Sequence, residues 1–207
     1  MGFKHQPRVR RKWQIADRTI RTHLPDGLPP LLFLTDPVRT PHPEHTLPEL
    51  PRGSGVVLRH FGASNRLEHA RKLHSVCQQN RLALLISGDP GLAKAVGASG
   101  VHWPEKQLPK ARRWRGQFEI QTSSAHSRQA VYQAYLAGLD AALVSTVFAS
   151  NSPSAGAPMG PCRLRLLSRN ASLPLYGLGG IGADQAATLS GFTGIAAIEG
   201  LQALARP

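Results

Sequence analysis

The sequence predicts an α/β fold, a (β/α)8 TIM barrel forming a single domain behind a basic N-terminal extension. Three observations lead there. From Leu31 onward, apolar runs of strand length alternate with longer segments of helical spacing. Those runs are apolar at consecutive positions, the pattern of strands covered on both faces in a parallel sheet. Eight of them fit into about 175 residues, the repeat of a small barrel. An open doubly wound sheet is the alternative, because periodicity alone does not separate a closed sheet from an open one. The division expected is residues 1–28 as the extension and 29–207 as the barrel.

Residues 31–36 make the first strand. The link that follows holds Pro37, Pro41, Pro43, Pro48 and Pro51, and proline inside a helix costs about 3 kcal/mol, so at most one helical turn fits there. Residues 55–60 are the second strand. A helix over 65–79 brings Leu67, Ala70, Leu73, Val76 and Cys77 onto one face, with Asn65 available as its cap. Strand three spans 82–86, a short helix 91–98, strand four 100–103 and strand five 118–122, with no strong helix between the last two. A helix over 127–139 leads to strand six at 141–148, a helix over 163–170 to strand seven at 174–178, and a helix over 183–189 to strand eight at 194–198.

Composition removes several classes of function. No apolar run approaches the roughly 20 residues that cross a bilayer, so no membrane partner is expected. Two cysteines, Cys77 and Cys162, are too few for a disulfide framework and are expected as reduced core residues. The first 22 residues carry Lys4, Arg8, Arg10, Arg11, Lys12, Arg18 and Arg21 against Asp17 alone, and so supply much of the formal charge of +13. They lack the apolar stretch of a secretory signal, and Gln6 replaces the hydroxyl residue of a myristoylation motif. The 12 aromatic residues do not interleave with the cations, so specific nucleic-acid binding is not expected, and the basic segment reads as a solvated arm or leading helix. A cytoplasmic, enzyme-sized domain is the expectation that remains.

Residues 177–182 fit G-x-G-x-x-G between a strand and a helix. A dinucleotide fingerprint belongs to the first βα turn of its fold, whereas only 25 residues follow Gly182 here. In a barrel, the loops after strands seven and eight commonly hold phosphate with backbone N–H groups, and glycines let the chain approach the oxygens. A purely structural turn is the other reading. Arg59, at the end of strand two, offers paired donors to a phosphate or carboxylate, or else forms a salt bridge. Residues 149–160 are small, long for a barrel loop and placed after strand six, as a lid or as a linker. His42 and His45 make H-x-x-H without an evident third ligand, so no metal site is expected there. His102, at a strand end, reads as a packed or hydrogen-bonded residue.

Several segments together resemble the thiamine phosphate synthase and TenI family, from about Leu31 to Leu201. They are Leu34-Thr35-Asp36, Val57-Leu58-Arg59, Ala95-Val96-Gly97-Ala98-Ser99-Gly100-Val101-His102, Ser124-Ala125-His126-Ser127, Val147-Phe148, Gly179-Gly180-Ile181 and Gly194-Ile195-Ala196-Ala197. The resemblance implies a barrel that handles a phosphorylated thiazole at its C-terminal strand ends. The contacts it implies come from Arg59, Ser124, Ser150, the Gly179-Gly180 turn, Ala197 and Ile198. The synthase joins a pyrimidine diphosphate to the thiazole phosphate with Mg²⁺, and this chain departs from its pattern. Phe61 replaces a lysine, Ser87-Gly88 an Asn-Asp pair, Gln107 a metal-binding aspartate, and Pro153 falls near another lysine. Asp89 is a candidate for a shifted carboxylate. Glu199 stands where the family has a small hydroxyl residue, and a carboxylate beside a phosphate repels it unless the side chain points away.

TenI-like members keep the barrel without the diphosphate machinery, and a thiazole tautomerase activity is associated with them. The resemblance gives the acid/base to His126, histidine being a side chain suited to taking and returning a proton, although His126 equally reads as the cap of the helix from Ser127. The first expectation is therefore a TenI-like thiazole tautomerase with no cofactor. The alternatives are a thiamine phosphate synthase, which alone needs Mg²⁺, and a non-catalytic barrel that binds a phosphorylated metabolite. Self-association into a homo-oligomer is left open.

Overall fold

A computed structural model describes residues 6–60, 65–152 and 155–205. Eight strands close into an all-parallel barrel in sequence order: β1 (Leu31–Leu34), β2 (Gly55–Leu58), β3 (Ala83–Ser87), β4 (Gly100–Trp103), β5 (Ile120–Ala125), β6 (Ala141–Ser145), β7 (Leu175–Leu178) and β8 (Gly194–Ala197). Closure comes from β1 pairing with β8, Phe33 opposite Ala197. The continuous apolar runs have the cause expected of them. Leu32, Leu34, Val57, Leu85, Leu143, Tyr176 and Ala196 fill the barrel's interior, while Leu31, Phe33, Val56, Leu58 and Ile195 pack outward beneath the helices.

The helices are α1 (Gln6–Arg21), α2 (Arg66–Asn80), α3 (Pro90–Val96), α4 (Leu108–Ala111), α5 (Arg128–Leu136), α6 (Gly160–Asn170), α7 (Ala183–Leu189) and α8 (Glu199–Gln202). Between β1 and β2 the prolines leave two single 3-10 turns, Pro43–His45 and Leu47–Glu49, each beginning with a proline in its first positions. That is one turn more than the sequence suggests. Asn65 occupies the N-cap position of α2, but its side chain makes no capping bond.

The basic segment is a packed helix rather than a free arm. One face of α1 buries Trp13, Ala16 and Ile20, and its cations lie on the others. Lys12 pairs with Asp184 on α7, Arg10 pairs with Glu49, and the Trp13 Nε1–H donates to the carbonyl of Gly200 at 3.1 Å. Cys77 is buried, and burial pushes its thiol up to about 12. Cys162 is exposed, contrary to the expectation of a core position, because α6 buries Leu164 and a residue two positions away points to the opposite side of a helix. No helix among the described residues is long and apolar enough to cross a membrane.

Candidate active site

The C-terminal ends of β6, β7 and β8 are joined by close backbone contact. Val147 and Phe148 turn out of β6 and donate their N–H groups to the carbonyls of Leu178 and Gly179, at 2.9 and 3.0 Å, which ends the strand three residues before the apolar run does. Farther on, the N–H groups of Met159 and Gly160 return to the carbonyls of Thr146 and Val147. The loop after β6 is thus tied down at both feet. Gly179 and Gly180 hold φ of +100° and +64°, where L side chains are strained. A Cβ on Gly180 would also stand 2.2 Å from the carbonyl oxygen of Ala149. The N–H groups of these two glycines donate to no acceptor among the described residues.

A cavity of about 400 Å³ opens over these strand ends, a size that suits a small ligand. Arg59, Ser150, Gly179, Gly180, Ala197 and Ile198, all expected from sequence, line it together. Arg39 and Glu199 join them, and Arg39 is a residue that sequence reasoning missed. Arg39 donates to Asp36 at 2.8 Å. Burial alone would raise the Asp36 carboxyl, but the Arg39 side chain and the N–H groups of Arg39 and Val38 outweigh it and hold that carboxyl at about 2. Arg59 is different. Its backbone N–H donates to the Thr35 hydroxyl, but its guanidinium makes no hydrogen bond or ion pair among the described residues. Burial pulls its pKa down against the opposing pull of the Asp36 carboxylate, and the positive charge of Arg39 adds to the downward shift.

Two of the expected residues stand elsewhere. Ser124, near the end of β5, does not line the cavity: its hydroxyl meets the Nε2 of His102 at 2.9 Å, while the Nδ1 of His102 meets the Thr122 hydroxyl at 2.9 Å. His102 is the packed, hydrogen-bonded residue that its strand-end position suggested. His126 follows β5 at the same end of the barrel as Gly179, but it does not line the cavity. Its Nδ1 sits 2.7 Å from a carboxylate oxygen of Glu105, and its side chain is largely exposed. It does not cap α5 either. Ser127 does, accepting from the N–H of Ala130.

A magnesium site of the synthase type finds no fit among the residues present. Gly88 has no side chain to offer, and its Cα faces the Gln107 amide, whose Oε1 is 3.1 Å from where a Cβ would stand. Asp89 is occupied as the N-cap of α3 and in an ion pair with Arg66 at 3.0 Å. No group of three or more His, Cys, Asp or Glu among the described residues is placed to hold a metal, and the rings of His42 and His45 simply stack, 5.6 Å apart. Phe61 and Pro153 lie outside the described residues.

Fold and site together define a parallel (β/α)8 barrel with a pocket, lined in part by Arg39 and Arg59, at the C-terminal strand ends, the end that carries activity in barrel enzymes. Residues 52–201 match the family model TMP-TENI, thiamine monophosphate synthase. The chain belongs to that family. The thiamine-phosphate synthase of Chloroflexus aurantiacus is 31% identical over 150 residues, covering 70% of this chain and 69% of the relative. The thiamine biosynthesis bifunctional protein ThiM/ThiE of Symbiobacterium thermophilum is 35% identical over 138 residues, but this chain spans only 29% of its length. A thiamine phosphate pyrophosphorylase from Pyrococcus furiosus superposes with a TM-score of 0.71 at 21% identity, covering 86% of this chain and 94% of that one, a likeness of fold. The names of these relatives support the synthase alternative over the tautomerase expected first.

Proposed function

We propose that the cavity binds a thiazole phosphate, with the phosphate on Arg59 and the Gly179-Gly180 turn, and that the chain is a transferase of the thiamine-phosphate synthase type. In that reaction the thiazole ring nitrogen bonds to the exocyclic carbon of a pyrimidine diphosphate, and the carbon–oxygen bond to diphosphate breaks. The observation that carries the binding step is the guanidinium of Arg59 on the cavity wall, which makes no hydrogen bond or ion pair among the described residues. The N–H groups of Gly179 and Gly180, which donate to no acceptor among the described residues, add donors without side-chain entropy. What this chain supplies is orientation of the thiazole phosphate, through Arg59 and the glycine turn. No step is assigned to a metal, since Gly88 and Gln107 leave no pair of carboxylates to hold one.

Arg59→Ala is expected to weaken thiazole phosphate binding by about 10- to 100-fold, the range for a hydrogen bond to a charged group, measured by calorimetric titration. Unchanged affinity would remove the reading. Release of diphosphate from pyrimidine diphosphate and thiazole phosphate, followed by a coupled colour assay, tests the transfer itself. Its absence leaves only binding.

A second reading rests on one observation, the hydrogen bond from His126 to Glu105. A carboxylate on Nδ1 fixes the ring and its tautomer, as in an oriented acid/base. Proton transfer on a thiazole ring is the activity it favours, and a His126→Ala variant with unchanged tautomerisation would eliminate it.

A further inference from the structure

On the flank of the barrel, away from the strand-end cavity, α5 and α6 leave a groove of about 590 Å³ between them. Val131, buried, and Leu167, partly buried, line it as an aliphatic floor. Arg128, Tyr132 and Tyr135 share one exposed face of α5 at helical spacing, and the two tyrosine rings lie 6.4 Å apart. Leu166 on α6 is 66% exposed. Apolar and aromatic side chains left in water on both helices mark an interaction surface. The charge around them has one sign. From Lys106 to Ala183 the chain carries nine lysines and arginines and only two carboxylates, Glu119 and Asp140. Arg128 begins α5, and Arg163 stands one turn before Leu167 on α6. Neither makes a hydrogen bond or ion pair among the described residues. Both helices start at the C-terminal ends of the strands, so these two cations mark one end of the groove, whereas uncharged Asn170 and Ser172 line the other.

We infer that this groove docks an acidic peptide segment of a partner protein, its carboxylates on Arg128 and Arg163 and an apolar side chain between Tyr132 and Leu167. Tyrosine and arginine are the residues that most often anchor such contacts. A second copy of the chain fits poorly. Like faces would bring the same arginines together, and Asp17, Asp36, Glu44, Glu49, Asp89 and Asp184 are already paired within their own chain. A nucleic-acid strand would find cations at one end and an aliphatic floor where bases need a stacking platform.

The test is fluorescence anisotropy of the full chain with a labelled peptide of about a dozen residues, glutamate-rich in its first half and carrying a central Leu-Phe pair. A peptide with glycines in place of that pair is expected to bind about tenfold more weakly. Tyr132→Ser, and separately Arg128→Glu combined with Arg163→Glu, are each expected to weaken the first peptide by about tenfold or more. Arg8→Glu combined with Arg11→Glu makes the same change of charge on the exposed side of α1 and is expected to alter affinity by less than about threefold. Thermal unfolding shows that all the variants are folded. The inference is overturned if the peptide does not bind at millimolar concentration, if the glycine peptide binds equally well, or if the α1 variant weakens binding as much as the groove variant. It is also overturned if a single-stranded oligonucleotide of equal charge binds more tightly and responds to the same substitutions, which makes the groove a nucleic-acid surface. Self-association that sedimentation finds in wild type and not in Tyr132→Ser would assign the groove to a second copy instead.

Discussion

Replacing Trp13 by alanine is expected to lower the unfolding free energy by about 3–5 kcal/mol, the cost of emptying a fully buried aromatic site. The indole is inaccessible to solvent and shares the buried face of α1 with Ala16 and Ile20, packed against α7. Part of the loss belongs to its N–H, which satisfies the carbonyl of Gly200. Trp13→Phe keeps most of the packing and gives up that bond, so about 1 kcal/mol of destabilisation is expected from the hydrogen bond itself. Because Gly200 lines the cavity, the phenylalanine variant is also expected to weaken ligand binding out of proportion to its stability. Urea unfolding of both variants measures the first effect, and titration of Trp13→Phe the second. Unchanged stability in Trp13→Ala would make α1 a peripheral appendage.

The second large effect is acid lability centred on His102. Burial, with a further push from the positive charge of Arg59, lowers this imidazole to about 3, so it is neutral in the fold and bonded to Thr122 and Ser124. An unfolded histidine titrates near 6.5. The unfolded chain therefore takes up the proton first as pH falls. The stabilising contribution is complete above about pH 6.5 and is progressively lost between there and about pH 3, in total on the order of 4 kcal/mol. His60 and His69 are shifted the same way by burial, and their rings lie 4.6 Å apart, so they steepen the same limb. Denaturant unfolding from pH 8 to pH 4 is expected to show a clear acid decline in wild type and a shallower one in His102→Gln, whose amide keeps one hydrogen bond without gaining charge. Parallel acid limbs in the two proteins would refute the assignment.

Much of this was legible in the sequence because barrel strands are sandwiched. Runs such as Leu31 to Leu34 are apolar throughout, since each face meets a different core, and that pattern survives without any partner strand in view. Strand five was displaced for the opposite reason. Thr122, Ser123 and Ser124 carry β5 through the barrel as hydroxyl residues, and hydrophobicity gives no sign of a strand whose inward groups are satisfied by a histidine on its neighbour. The packing of α1 was hidden because six cations dominate its composition, while the apolar stripe is only Trp13, Ala16 and Ile20.

The site divides along the same line. Arg59, Ser150, the Gly179-Gly180 turn, Ala197 and Ile198 were recovered because strand ends after β2, β6, β7 and β8 converge wherever a barrel closes. His126 shares their end of the barrel, yet its side chain turns to Glu105, a partner 21 positions earlier that no local spacing reveals. Arg39 had a faint signal, a cation three residues beyond Asp36, but a proline-rich link gave no reason to bring it to the mouth.

The proposed phosphate seat is the Arg59 guanidinium, which has no hydrogen-bond partner among the described residues, together with the glycine turn, at the ends of β2 and β7. A crystal of the full chain soaked with thiazole phosphate tests it most directly. The phosphate oxygens should lie within hydrogen-bonding reach of the Arg59 guanidinium and of the N–H groups of Gly179 and Gly180. Ligand density seated outside that cavity, with the Arg59 guanidinium still unpartnered, would contradict it.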